Sequence, residues 1–202
     1  MKKPFRGPFS VSLALLLVVL LVSAAGCGAE ETVQAEKDLQ DGVGYAVLIR
    51  LDRQRDIYGQ LGDLLENYLV AENRDDVELQ FRSFCSGVNC FVRDDSIYPY
   101  CNDLYQGNPD LSDTLIALMS TTARDELDRL PLSAFSDDAL ETLKGLCYEL
   151  ETCCQRGEEG TFAYFLSIQD LKSDSCQAAL RDTRQLLQRV DEIIASAGTG
   201  VT

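Results

Sequence analysis

The 202-residue chain contains no histidine and no tryptophan. Without histidine it lacks the commonest general base, the commonest metal ligand and the usual partner of a nucleophilic Ser or Cys. Without tryptophan it lacks the largest stacking surface for sugars and other planar ligands. No C-x2-C pair occurs, so the strongest zinc and thioredoxin-like redox signatures are missing. A Gly-rich phosphate loop, a G-x-S-x-G elbow and an S-x-x-K motif are also lacking. The longest apolar run, Val11–Val22, is interrupted only by Ser12 and falls short of the roughly 20 residues that span a bilayer. These gaps leave no residue to assign as catalytic and imply no cofactor and no metal.

Positive charge is the next scarcity. The chain has 18 Lys and Arg against 33 Asp and Glu, and three of the basic residues, Lys2, Lys3 and Arg6, precede the apolar run. Residues 27–202 therefore hold 15 basic and 33 acidic residues, a net charge of −18. Such a surface repels phosphate backbones, which excludes nucleic acid as a partner. Hydrophobic residues at 46% and charged residues at 25% match an ordinary globular protein rather than a disordered one. The length suits one domain, or a small domain on a stalk.

What is present begins at the N-terminus. Basic residues 1–9, the apolar run and the small residues Ser23, Ala24, Ala25 and Gly26 have the order of a secretory signal. The run A-A-G-C, ending on Cys27, resembles the lipobox of bacterial lipoproteins, with Ala24 where Leu is usual. That resemblance implies cleavage before Cys27 and a lipid on its sulfur, so that the membrane itself is a partner. More than one acyl chain gives stable anchoring where a single chain binds marginally. Gly28 rather than Asp follows the Cys, which favours the outer membrane over inner-membrane retention. The expected organisation is a signal peptide over 1–26, lipid attachment and an acidic tether over 27–42, and a helical cysteine-rich domain over 43–202. The alternative is an ordinary signal peptide cut after Ala25 or Gly26, releasing a periplasmic or secreted protein with Cys27 in a disulfide.

Export places the remaining cysteines, Cys85, Cys90, Cys101, Cys147, Cys153, Cys154 and Cys176, in an oxidising compartment where disulfides are expected. With Cys27 lipidated, seven thiols allow three bridges and leave one over; four bridges require Cys27 as a thiol. Cys147 and Cys154 are seven residues apart, about 10.5 Å along a helix, and cannot bridge each other. The expected pairs are Cys85–Cys90 within a turn, Cys147–Cys176, and Cys101 with Cys153 or Cys154. The second pair assumes that 161–172 descends about 18 Å as helix.

Helical periodicity dominates the domain. Val47, Leu51, Tyr58, Leu61, Leu65 and Tyr68 share one face, and Gly59 and Gly62 mark a close approach to a neighbour. Residues 77–92 read either as a helix with Val77, Phe81 and Phe84 inward or as a short β-hairpin-like loop in which Val77, Leu79 and Phe81 alternate. Residues 93–111, with Pro99, Gly107 and Pro109, are expected to be an irregular loop. A helix from Ser112 or Asp113 carries Leu115, Met119, Ala123, Leu127 and Leu130 and stops at Pro131. Ser136 caps the next, with Leu140, Leu143, Cys147, Leu150 and Cys154 inward. A helix over Phe162–Ile168 precedes the last one, from Ser173 or Asp174 to Gly198. There Cys176, Leu180, Thr183, Leu187, Val190, Ile194 and Ala197 follow a 4-3 seam, which suits a bundle face or, alternatively, a homo-oligomer. The predicted fold is an all-α, disulfide-stapled bundle of four or five helices.

Few residues suggest chemistry. Cys153–Cys154 lie beside Glu149 and Glu151, which raise thiol pKa, with Arg156 as the opposing charge, so structural bridging is favoured over redox chemistry. The acid pairs Asp94–Asp95, Asp137–Asp138 and Glu158–Glu159 are expected on solvated faces. Residues 102–113 are rich in oxygen ligands, but their spacing does not fit an EF-hand. Tyr98, Tyr100 and Tyr105 form the candidate recognition loop. The expectation is a membrane-tethered, non-enzymatic protein that binds another protein or supports the envelope. The alternatives are a soluble secreted binding or inhibitor-like domain and a carboxylate- or thiol-dependent enzyme.

Overall fold

A 4-3 spacing of apolar residues organises the first helix, α1, which covers 44–70 in a computed structural model of the chain. The structure describes residues 44–92, 109–120, 130–157, 161–168 and 171–198. Val47, Leu51, Tyr58, Leu61, Leu65 and Tyr68 are all buried. Gln54 completes their seam and is buried with them at 3% exposure, a position that an apolar pattern skips.

Residues 71–73 turn the chain into α2, Arg74–Val92. Asn73 donates through Nδ2 to Asp76 Oδ2 at 2.7 Å at the start of this helix, where acidic side chains also meet the positive end of the helix dipole. Phe81 and Cys85 point into the core while Leu79 is 69% exposed. Strand alternation would have put Leu79 on the face of Phe81. The β-hairpin-like alternative for 77–92 is thereby corrected, and among the described residues there is no strand.

Helix α3, Pro109–Ser120, begins three residues earlier than Ser112, with Leu111, Leu115 and Leu118 buried. Proline is at home in a first turn, where its missing N–H has no intrahelical partner anyway. Residues 109–111 therefore belong to a helix and not to the expected loop. Met119's side chain and residues 121–129, including Ala123 and Leu127, lie outside the described residues.

After Pro131 a single 3-10 turn, Leu132–Ala134, leads to Ser136. Ser136 Oγ accepts from the Ala139 N–H at 3.2 Å and caps α4, Asp137–Cys154. All five expected inward residues of α4, from Leu140 to Cys154, are buried. Gly157 takes a φ of +80° as the chain leaves α4, a conformation that favours glycine.

The short α5, Phe162–Ile168, is followed by α6, Asp174–Gly198, whose start is capped by Ser173 Oγ accepting from the Cys176 N–H at 3.1 Å. All seven seam residues of α6 are buried within the chain, against α3, α4 and α5. That seam is thus a bundle face and not an open surface for a second copy. The described helices belong to one compact unit, Val43–Thr202, with a core shared by α1 to α6.

Pairwise contacts fix the helix directions. Arg156 meets Asp52 at 2.5 Å, Gly59 faces Glu151, and Gly62 faces Tyr148. Ascending α1 thus meets descending α4, and the two are antiparallel. A Cβ built on Gly62 would lie 2.6 Å from the Tyr148 ring, so the close approach expected at Gly59 and Gly62 is present and is to α4. Since α2 doubles back on α1, α2 runs parallel to α4. Arg74 at the start of α2 grips Asp137 at the start of α4 through two hydrogen bonds, 2.8 and 3.0 Å, and lies 5.0 Å above the Tyr68 ring. Glu78 ties the same end by accepting from the Leu132 N–H at 2.8 Å. Tyr58 donates to the Leu118 carbonyl at 2.9 Å and so ties α1 to α3.

Candidate functional site

The described cysteine side chains are Cys85, Cys147, Cys153, Cys154 and Cys176, and no two of them lie at disulfide distance, so the expected staples are not present among the described residues. Cys85 and Cys90 lie on continuous helix in α2. Five helical residues advance about 7.5 Å along the axis, beyond the usual Cα separation of a bridge. The local Cys85–Cys90 bridge is therefore corrected: the Gly and Asn between them sit inside a helix and form no turn.

Cys147–Cys176 is likewise corrected. Cys147 lies in the main core, whereas Cys176 packs with Phe165 and Ala179 in a separate small cluster. The cause is the length of α5. Its seven residues advance about 10.5 Å, not 18 Å, and leave Cys176 beside α5. Cys27, Cys101, Tyr98, Tyr100 and Tyr105 lie outside the described residues, as does the side chain of Cys90.

The electrostatics of the thiols decide what they can do. Burial pushes the Cys147 thiol up to about 12, and neighbouring Cys85 adds to the effect. Burial also raises Cys154 well above the ordinary range, reinforced by Cys153 and opposed by Arg55. The sequence pointed to Arg156 for that opposing charge, but Arg156 instead pairs with Asp52. Cys153 is raised chiefly by burial, with Glu149 and Asp182 contributing, while its Sγ accepts a 3.4 Å hydrogen bond from the Thr183 hydroxyl. A nucleophilic or metal-binding sulfur must be a thiolate, and this surrounding keeps all three protonated.

The carboxylates show the complementary pattern. Arg74 holds Asp137 below the usual range, opposite to what a general acid needs. Asp94–Asp95 and Glu158–Glu159 lie outside the described residues. Of the oxygen-rich stretch 102–113, the described part is the first turn of α3. There Asp110 pairs with Arg184 of α6 at 2.9 Å. Among the described residues no three His, Cys, Asp or Glu side chains gather as metal ligands.

Sequence reasoning missed a cross-helix cluster. Tyr148 donates to Asp63 Oδ1 at 3.0 Å and lies 3.3 Å from Glu66 Oε2. Partial burial and then Asp63 raise the Tyr148 pKa, so the phenol stays protonated between two acceptors. The available signal was Gly62, whose missing side chain makes room for the ring.

Open grooves are present among the described residues. One of about 420 Å³ lies between α1 and α2, with Ile57 and Phe84 as its apolar residues and Arg53 and Asp56 beside them. Another, about 280 Å³, lies between α3 and α6, beside Arg184 and Asp191. No described helix is long and apolar enough to cross a membrane. Compared with known proteins, the chain matches no family, no curated protein and no solved structure.

Proposed function

We propose that this is an exported, lipid-anchored protein whose helical unit has a non-enzymatic role, binding another protein or supporting the cell envelope. The A-A-G-C run directly after the apolar segment carries the reading, because it combines the order of a secretory signal with a cysteine at the cleavage point. The thiols support the non-enzymatic part. Burial holds Cys147, Cys153 and Cys154 in their protonated, unreactive form. So does the ion pair that lowers Asp137 where catalysis would need a raised carboxyl. The groove between α1 and α2 offers an apolar floor with charges of both signs at which a partner side chain can dock.

A soluble, secreted form is the second reading. An even set of eight cysteines favours it, since four bridges then use every sulfur including Cys27.

Membrane partitioning and intact mass of the wild type beside Cys27→Ala separate the two. Anchoring predicts a membrane-bound wild type that lacks residues 1–26 and carries acyl mass, and a variant released from the membrane. If both forms are soluble with the same processing, the lipid anchor is overturned.

A further inference from the structure

Among the described residues the exposed large apolar side chains are Tyr45 at 63%, Ile49 at 48%, Val70 at 75% and Leu79 at 69%. All four lie on α1 or α2. Tyr45 and Ile49 differ from the other two in sharing a face, since they stand four residues apart at the start of α1. Arg53, also exposed, continues the row one turn further along. Val47 and Leu51 lie about 200° around the helix from Tyr45 and Ile49 and are buried in the core. The bundle therefore packs one side of this helix end and leaves the row of Tyr45, Ile49 and Arg53 facing outward.

This end of α1 is also a local exception to the acidic surface. Residues 44–55 hold Arg50, Arg53 and Arg55 against Asp52 alone, whereas residues 27–202 carry 33 acids and 15 bases. Arg55 turns to Asp56 at 2.9 Å, and Arg53 stands one turn from Ile49. Position along the chain says what this face meets. Tyr45 is the first described side chain after Cys27 and lies 18 residues from it, so the covalent reach between them is at most about 60 Å.

We propose that Tyr45, Ile49 and Arg53 dock the start of α1 on the phospholipid surface that holds the lipid of Cys27. The proposal rests on the lipid-anchor reading. An anchor makes the contact intramolecular, at an effective concentration in the millimolar range for short linkers. A contact too weak to recruit a free protein is then enough to orient a tethered one. Tyrosine suits the headgroup level, with its ring against the acyl boundary and its hydroxyl in water. Ile49 adds apolar area beside it. Arg53 buries its stem along the same row and carries its guanidinium to lipid phosphate. The acidic remainder of the surface opposes a wider contact with anionic headgroups, which confines the docking to this end of α1.

The lack of tryptophan makes the test direct, because one introduced indole reports a single position. Tyr45→Trp places it in the proposed contact. Val70→Trp places it at the exposed far end of α1, 25 residues or about 37.5 Å away. Each full chain is expressed with its signal, purified in detergent, and returned to vesicles of phosphatidylethanolamine and phosphatidylglycerol, with and without dibrominated phosphatidylcholine. Intact mass and vesicle flotation are recorded on the same samples. The expected result for Tyr45→Trp is blue-shifted emission, quenching by the brominated lipid, and a several-fold lower iodide quenching constant than for Val70→Trp.

If the protein is acylated and floats with the vesicles while both indoles are equally open to iodide, or equally shielded, the docking is overturned and the anchor stands. If no acyl mass is found and the vesicles do not retain the protein, the anchor reading fails and the docking fails with it. Shielding of the Tyr45→Trp indole in native envelope membranes but not in vesicles of lipid alone would assign this face to a protein partner and overturn the lipid contact. Ile49→Asp supplies a second variant. Added to Tyr45→Trp, it should restore iodide access several-fold without releasing the protein from the vesicles. Unchanged shielding in that double variant would overturn the proposed row.

Discussion

A single methyl group separates two glycines of this bundle by their surroundings. At Gly62 an added Cβ would meet the Tyr148 ring at 2.6 Å, and moving the ring would break its hydrogen bond to Asp63. At Gly145, inside α4, an added Cβ meets nothing within 4 Å. Gly62→Ala is therefore expected to destabilise by roughly 1–3 kcal/mol, offset in part by better helix propensity. Gly145→Ala should stabilise by roughly 0.5–1 kcal/mol. Urea unfolding of the two variants checks both signs, and equal shifts would contradict the close approach of α1 and α4. Thiol reactivity is the other residue-scale expectation. In folded, reduced chain at pH 8, Cys147 and Cys154 should resist N-ethylmaleimide until the protein unfolds, while half-buried Cys153 reacts first. Peptide mass spectrometry over a time course reads the order directly. Tyr148 adds a pH dependence of defined sign. Its raised pKa contributes stability that is complete below the unfolded tyrosine value of about 10 and is lost as pH rises through the folded one. Wild type should therefore lose stability faster than Tyr148→Phe above pH 10, as judged by denaturant midpoints.

Caps and apolar stripes specify α4 and α6, and the helices were unequally legible. Ser136 and Ser173 accept from the backbone N–H three residues on, as their positions before apolar stripes suggested. Ser136→Ala should cost about 1 kcal/mol, measured by thermal or urea unfolding. A loss near zero would show that the first turn of α4 is held by Arg74 on Asp137 instead. In α6 the seam was readable residue by residue, because 4-3 spacing of apolar groups has few interpretations other than a buried face. Residues 77–92 were not readable in this way. Val77, Leu79 and Phe81 fit a period of two as well as Val77, Phe81 and Phe84 fit a helix, and only the exposure of Leu79 decides between them. The start of α3 was missed because Pro109 resembles loop punctuation, although a first helical turn accepts proline without loss.

At the level of the whole molecule, helix register decides which cysteines can meet. Sequence spacing offered Cys85 its neighbour Cys90, and an assumed long descent offered Cys147 the distant Cys176. In the structure Cys85 and Cys90 share one continuous helix, and Cys176 packs beside α5, apart from Cys147. The same architecture explains why the surface carries so much negative charge without a cluster of chemistry. Asp110–Arg184 and Asp137–Arg74 each join two helices, and Asp52–Arg156 joins α1 to the turn after α4, so these acids orient the bundle and do not converge on one cavity.

The amino-acid order by itself determined the all-helical class, the inward stripes of α1, α4 and α6, and the capping serines. These follow from local periodicity and backbone hydrogen bonding, which act within a few residues. It also supplied the lipobox-like segment at Cys27, on which the proposed anchoring rests. Only the tertiary structure decided the direction of α2 beside α4, the closure of the α6 seam within one chain and the separation of Cys147 from Cys176. Those depend on where helices of fixed rise begin relative to one another, and a short α5 or an ion pair at one helix end changes that by many ångströms without leaving a local mark.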